Sequence, residues 1–118
     1  MENRSADEVF KAHLELRLQG NVEEDITQNY SPDVVLISNH GIFRGHSGVR
    51  ESAALLQQQL PDPEITYNIQ ENVSEMAYLV WSGKSTHTEV SHGVDSFLIR
   101  EGKILVQTIF YDLESAEK

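Results

Sequence analysis

Residues 65–113, ITYNIQENVSEMAYLVWSGKSTHTEVSHGVDSFLIREGKILVQTIFYDL, hold the reading on which the fold turns. Ile65, Tyr67 and Ile69 alternate with Thr66, Asn68 and Gln70, the two-residue period of a half-buried strand. Met76 to Ser82 reads as a second strand, with Ser82-Gly83-Lys84 able to turn it. A third runs to Arg100, Glu101-Gly102 makes a tight hairpin, and a fourth runs from Lys103 to Leu113. Four consecutive strands joined by short turns form an antiparallel meander, and one of its faces must be covered.

The cover lies upstream. Ser5 with Glu8 is a capping box, and Val9, Ala12, His13 and Leu16 then fall on one face of a helical period. Gly20 is its natural stop. Asn21 can cap a short second helix whose Glu23, Glu24 and Asp25 suit its positive end. Tyr30-Ser31-Pro32-Asp33 reads as a break, Val34 to Ile37 as a short strand, and Asn39-His40-Gly41 as a turn before Ile42-Phe43 returns. A third helix is expected from about Ser47, with Val49, Ala53, Leu56 and Leu60 on one face, ending at Pro61-Asp62-Pro63. Helices first and a meander later make one α+β domain over residues 1–118, ordered from about 5 to 113.

The totals narrow the function. The 118 residues carry 9 basic and 19 acidic side chains, a net charge of −10, so neither nucleic acid nor an anionic membrane is an expected partner. With no cysteine there is no disulfide, thiolate metal site or thiol nucleophile, which is compatible with a cytoplasmic location. Met1 to Asp7 lacks the features of a signal peptide, and no apolar run is long enough to span a bilayer. No metal-ligand spacing, phosphate-binding glycine loop or serine-nucleophile elbow occurs, so no metal and no cofactor are expected.

Element order and local strings together resemble the nuclear-transport-factor-2-like superfamily, in particular its SnoaL-like branch. Gln19-Gly20-Asn21 is similar to that family's stop between the first two helices. Tyr30-Ser31-Pro32-Asp33-Val34-Val35 is similar to its lead into the first strand, and Phe43-Arg44-Gly45 to its Tyr-Arg-Gly string. Ala77 to Trp81, Gly93 to Phe97 and Gly102-Lys103-Ile104 resemble the SnoaL-like branch closely. The resemblance implies a cone-shaped, strongly curved antiparallel sheet with three helices over its concave face. It does not imply one activity, because the fold hosts isomerases, cyclases, epoxide hydrolases, dehydratases and non-catalytic proteins.

Two residues stand out on physical grounds. His13 lies in the middle of an apolar helix face, where an unsatisfied imidazole costs about 1–3 kcal/mol. Asp95 interrupts a strand whose same-face neighbours are Gly93, Phe97 and Ile99, so it needs a partner or a raised pKa. Either can be structural: His13 bonded to a neighbour, Asp95 to His13, Tyr30 or a backbone amide. By resemblance to the ketosteroid isomerases, His13 occupies the place of a tyrosine that donates to the substrate oxyanion, and Asp95 that of a protonated aspartic acid beside it. Ser38 matches the position of their catalytic base, and a hydroxyl without an activating base cannot abstract a carbon-bound proton. Steroid isomerisation is therefore not expected, and the Asp-Arg-Asp set of the epoxide hydrolases is not apparent.

The SnoaL-like cyclases work with a pocket Asp near a His, which His13 and Asp95 can supply. Tyr30, Trp81, Phe97 and Tyr111 are the expected aromatic lining, with Ser38 and Ile109 beside them, around a small apolar or aromatic ligand. Two functions stay open: acid–base chemistry on an enolisable carbonyl compound, as in an isomerase- or cyclase-like lyase, and a non-catalytic ligand-binding or dimeric interaction domain. An open cavity of roughly 300–1,000 Å³ is needed for the first. His40 is expected in an exposed turn, His46 as a helix cap, and His87 and His92 on opposite faces of a strand unless a bulge at Gly93 intervenes. A homodimer is expected through the convex face that carries Val94, Ser96, Leu98, Val106, Thr108 and Phe110.

Overall fold

In the computed structural model, which describes residues 3–116, the capping box forms as expected. Ser5 Oγ accepts from the Glu8 amide and the Glu8 carboxylate accepts from the Ser5 amide, opening helix α1 (Ala6–Leu18). Its buried side chains are Val9, Phe10, His13 and Leu14. The buried stripe is thus rotated slightly from the expected one, toward Phe10 and Leu14, and it carries Arg17 on the turn after His13. Gly20 takes a φ of +75°, a left-handed conformation that favours glycine, and lets the chain reverse into α2 (Val22–Asn29). Asn21 precedes α2 without capping it; its amide donates to Glu24 instead.

Strand β1 spans Tyr30–Ser38, so the Pro32 segment lies inside a strand. Its register against its neighbour slips between Tyr30 and Val35, which is where a residue without an amide hydrogen is tolerated. A turn leads to β2 (Gly41–Arg44) and then α3 (Gly45–Gln59), which begins two residues earlier than expected. The meander follows as β3 (Glu64–Val73), β4 (Met76–Lys84), β5 (Thr88–Arg100) and β6 (Lys103–Phe110), with a two-residue β7 (Glu114–Ser115) pairing back onto the start of β5. Ser82-Gly83-Lys84 belongs to β4 rather than to a turn, and β6 stops at Phe110, short of Leu113.

The strand order is β2-β1-β6-β5-β4-β3. Every pairing is antiparallel except β1 with β6, so the sheet is mixed and not purely antiparallel. The parallel pairing is possible because β1 and β6 are far apart in sequence, with no hairpin between them. The sheet bends at irregularities in β3–β4 (Tyr67/Ile69), β4–β5 (Trp81/Gly83) and β5–β6 (Leu98/Ile99). The second changes the side-chain parity of β5, so that Val90 and Gly93 both face inward. The third does the same for β6, turning Ile104 and Gln107 to one side. The helices cover the concave face, and the core between them includes Val9, Phe10, Ile26, Val49, Phe97 and Ile99.

Candidate functional site

Between the helices and the sheet lies a cavity of about 500 Å³. His13 and Arg17 line it from α1, Val49 and Leu56 from α3, and Leu79, Trp81, Asp95, Gln107, Ile109 and Tyr111 from the sheet. Of the residues expected to form a site, His13, Asp95, Trp81, Ile109 and Tyr111 meet here. Tyr30 and Phe97 are almost wholly buried behind the wall, where Phe97 packs edge-on against the His13 ring at 5.1 Å. Ser38 is not among the lining residues; its hydroxyl accepts from the His40 amide in the β1–β2 turn.

Alternation brings Asp95 inward on β5 between Gly93 and Phe97. The residue is 5 % exposed. One oxygen accepts from Trp81 Nε1 at 2.9 Å and the other from Gln107 Nε2 at 2.9 Å. Neither bond runs to His13, to Tyr30 or to a backbone amide, the partners expected of a structural Asp95. Gly93 makes the Trp81 bond feasible. A Cβ there would lie 2.1 Å from Trp81 Cε2 and 2.4 Å from its Nε1, so only glycine lets the indole lie across β5. Burial pushes the Asp95 carboxyl up from 3.8 to about 6, against the opposing pull of the Trp81 and Gln107 hydrogen bonds and of His13 and Arg17.

His13 turns to a different acid. Its Nδ1 lies 2.8 Å from Oδ2 of Asp25, which also accepts from Arg17 Nε at 2.6 Å. The other oxygen of Asp25 accepts from Asn29 Nδ2 at 2.7 Å, and Asn29 in turn accepts from Arg4 at 2.8 Å. Asp25 is 0 % exposed, so it is a buried counterion and not the solvated helix-end acid expected from its place beside Glu23 and Glu24. Burial works against its charge, but His13, Arg17 and Asn29 outweigh burial and hold its carboxyl below the ordinary 3.8. An ionised Asp25 can only accept, so His13 Nδ1 carries the hydrogen. No fully buried side-chain polar atom among the described residues lacks a partner, and His13 Nε2 has none among those residues. That nitrogen therefore opens on the cavity.

A single hydroxyl joins the two acids. Tyr30 donates to Gln107 Oε1 at 2.5 Å and receives Arg17 Nη2 at 3.4 Å. The chain of donors runs from the Arg17 guanidinium through Tyr30 and Gln107 to Asp95. Deep burial pushes the Tyr30 hydroxyl well above its ordinary range, so it stays protonated and able to donate.

Sequence reasoning passed over Arg17, Asp25, Asn29 and Gln107. The spacing of Arg17, four residues after His13, was the available signal for the first. The remaining histidines sit apart from the site. His40 is exposed and stacks against Tyr111 at 4.7 Å. His46 lies within α3 and meets the Tyr30 carbonyl at 2.9 Å rather than capping the helix. His87 lies ahead of β5, and His92, beside the irregularity before Gly93, is exposed. Among the described residues no cluster of three or more His, Asp or Glu side chains could hold a metal ion, and no helix is long and apolar enough to cross a membrane.

No family model and no curated protein matches this sequence. Solved structures do. A candidate SnoaL-like polyketide cyclase from Mesorhizobium loti superposes with a TM-score of 0.71 at 16 % identity, covering 92 % of this chain and 100 % of its own. An NTF2-like protein of unknown function from Burkholderia xenovorans gives 0.74 at 14 % identity, covering 91 % and 82 %. TerC co-crystallised with polyporic acid gives 0.73 at 17 % identity, covering 91 % of each chain. At such identities the likeness is one of fold, and the fold is that of the nuclear-transport-factor-2-like superfamily, SnoaL-like proteins included.

Proposed function

We propose that the cavity binds an enolisable carbonyl compound and moves a proton α to its carbonyl, in the manner of an isomerase- or cyclase-like lyase. The observation that carries this reading is Asp95, a carboxylate in the cavity wall held only by neutral donors, with a pKa raised to about 6. Such a group is mostly ionised at neutral pH, yet basic enough to accept a proton efficiently. Asp95 takes the α-proton and the C–H electron pair passes into the carbonyl, giving an enolate. His13, oriented by Asp25 and carrying hydrogen on both ring nitrogens in its ion pair with that acid, presents Nε2–H to the enolate oxygen, donating a hydrogen bond or proton and taking it back when the carbon is reprotonated. The volume of about 500 Å³ suits a bicyclic or tricyclic ligand between Trp81, Ile109 and Tyr111. TerC, which shares the fold, was co-crystallised with polyporic acid, and that supports a small-molecule ligand here.

The test is hydrogen–deuterium exchange at the α-carbon of a panel of cyclic and polycyclic ketones in heavy water, followed by NMR. Catalysed exchange that rises as pH passes through about 6 and disappears in Asp95→Asn is the expected result. Ligand binding without exchange would favour the competing reading, a non-catalytic binding domain, to which the position of Ser38 outside the cavity lends support.

The proposal extends to a homodimer in the cytoplasm. On the outer face of the sheet Val94, Leu98 and Val106 are half-buried and Phe110 is 51 % exposed, with Ile37 46 % exposed nearby on β1. A second copy would cover that apolar surface. Sedimentation should show a dimer at micromolar concentration, and a monomer there would remove this part of the proposal.

A further inference from the structure

One oxygen of Asp25 grips two side chains at once, His13 by Nδ1 and Arg17 by Nε. The two lie four residues apart on α1, so they project from the same face, and both line the cavity. Each keeps one nitrogen clear of the bonds that fix it, which for Arg17 run from Nε to Asp25 and from Nη2 to Tyr30. His13 Nε2 and Arg17 Nη1 have no protein partner among the described residues, while no fully buried polar side-chain atom goes without one, so both open onto unfilled space.

The aromatic donors around the cavity are already engaged. Tyr67 donates to the Leu14 carbonyl, Tyr111 to Gln59 and the Trp81 indole to Asp95. Arg17 is the one permanent cation lining the cavity, and its side chain is 23 % exposed. It stands away from Asp95, with Tyr30 and Gln107 between them.

We propose that His13 Nε2, with the ring carrying hydrogen on both nitrogens in its ion pair with Asp25, and Arg17 Nη1 form a two-pronged anion cradle, and that the substrate is an aromatic or polycyclic compound whose reacting carbonyl stands next to an ionised oxygen group, a carboxylate or an acidic enol, with the carbonyl oxygen on His13 and the ionised oxygen on Arg17. This rests on the reading of the cavity as a carbonyl site and names the class of compound it takes. A planar anion with two oxygens can engage both prongs, one oxygen on each. The chain as a whole carries −10, so its overall field repels anions, and any preference for them must come from groups in the cavity.

The experiment compares 2-naphthoate with its neutral analogue 2-acetonaphthone by titration calorimetry at pH 7, on wild type and on Arg17→Gln. Wild type should bind the naphthoate about tenfold more tightly, and Arg17→Gln should lose that preference. Because Arg17→Gln also loosens Asp25, a second readout uses wild type alone: the guanidinium nitrogen resonances of Arg17 should move on adding naphthoate and stay put on adding acetonaphthone. Equal or tighter binding of acetonaphthone, or naphthoate binding that leaves Arg17 unmoved, overturns the cradle, as does the absence of binding by either compound. The carbonyl-site reading is judged separately, by α-proton exchange and its loss in Asp95→Asn.

Discussion

The helical wall of the cavity and the sheet wall each contain one inaccessible aspartate, and the two are driven in opposite directions. Asp25 is 0 % exposed and its pKa is lowered; Asp95 is 5 % exposed and its pKa is raised to about 6. The number of hydrogen bonds does not explain the difference, since both acids have donors on both oxygens. The charge of the donors does. Asp25 faces a guanidinium and an imidazole directly, while Asp95 faces an indole and a carboxamide and meets the same cations only at a distance. Neutral donors leave most of the desolvation cost in place; a bonded cation overcomes it. Two acids pushed apart in this way are the usual signature of divided roles in one site.

The largest effect should come from breaking the helical side. Asp25→Ala leaves Arg17 and His13 without their shared counterion, and removing one member of a buried ionic cluster costs about 3–5 kcal/mol. Urea denaturation at pH 7 measures it. A loss below about 1 kcal/mol would mean that the cluster relaxes into water and that Asp25 does not hold α1 against α2.

Next comes the pH dependence of the sheet side. Between 3.8 and about 6 the folded chain keeps a proton on Asp95 that the unfolded chain has released, so this residue makes stability fall as pH rises. The full fall, complete above the folded pKa, is about 3 kcal/mol as an upper limit. Asp25 has the opposite sign: its contribution is present above the unfolded value of 3.8 and is lost as pH falls through its lowered folded value. Subtracting the urea profile of Asp95→Asn from that of wild type should leave a difference that declines from pH 4 to 6 and is flat above about 7. A flat difference throughout would place Asp95 in contact with water.

The same contrast marks how far the sequence could be read. Asp95 was legible because a strand has a period of two, and an acid between Gly93 and Phe97 has nowhere to go but inward. His13 was legible for the matching reason on a helix. Asp25 was not, because Glu23-Glu24-Asp25 at a helix start looks like three solvated acids, and only the packing of α2 against α1 selects one of them for burial. Gln107 lies on the inward face with Ile109 and Tyr111, as strand alternation requires, but its bond to Asp95 depends on the register of β6 against β5, which has no local sequence mark. Element order and the three helices followed from periodicity and caps. The parallel β1–β6 pairing did not, since strand order depends on which distant edges meet, and Pro32 disguised the first third of β1 as a break.

A smaller change should sharpen the sheet side without breaking it. Trp81→Phe removes one donor from Asp95 and keeps most of the ring packing over Gly93. The lost hydrogen bond stabilised the carboxylate, so Asp95 should titrate above about 6, and stability at pH 8 should fall by about 1 kcal/mol. Carbon-13 NMR of the Asp95 carboxyl reads the midpoint directly. A midpoint that drops instead would show that the space left by the indole nitrogen admits water to the acid.

The smallest expected effect tests whether the two walls are coupled at all. Tyr30→Phe deletes the hydroxyl between Arg17 and Gln107 and leaves the buried ring, at a stability cost of about 1 kcal/mol. The informative quantity is a double-mutant cycle of Asp25→Asn with Asp95→Asn, run once with Tyr30 and once with Phe at that position. With the hydroxyl present, Arg17 polarises Tyr30, Tyr30 polarises Gln107, and Gln107 donates to Asp95 more strongly, so losing Asp25 should alter the Asp95 titration through that chain. The coupling should amount to about 0.5–1 kcal/mol and shrink toward zero when the hydroxyl is gone. If the coupling survives Tyr30→Phe undiminished, the walls sense each other through space by charge alone, and the hydrogen-bonded chain serves only to fix where the Gln107 amide points.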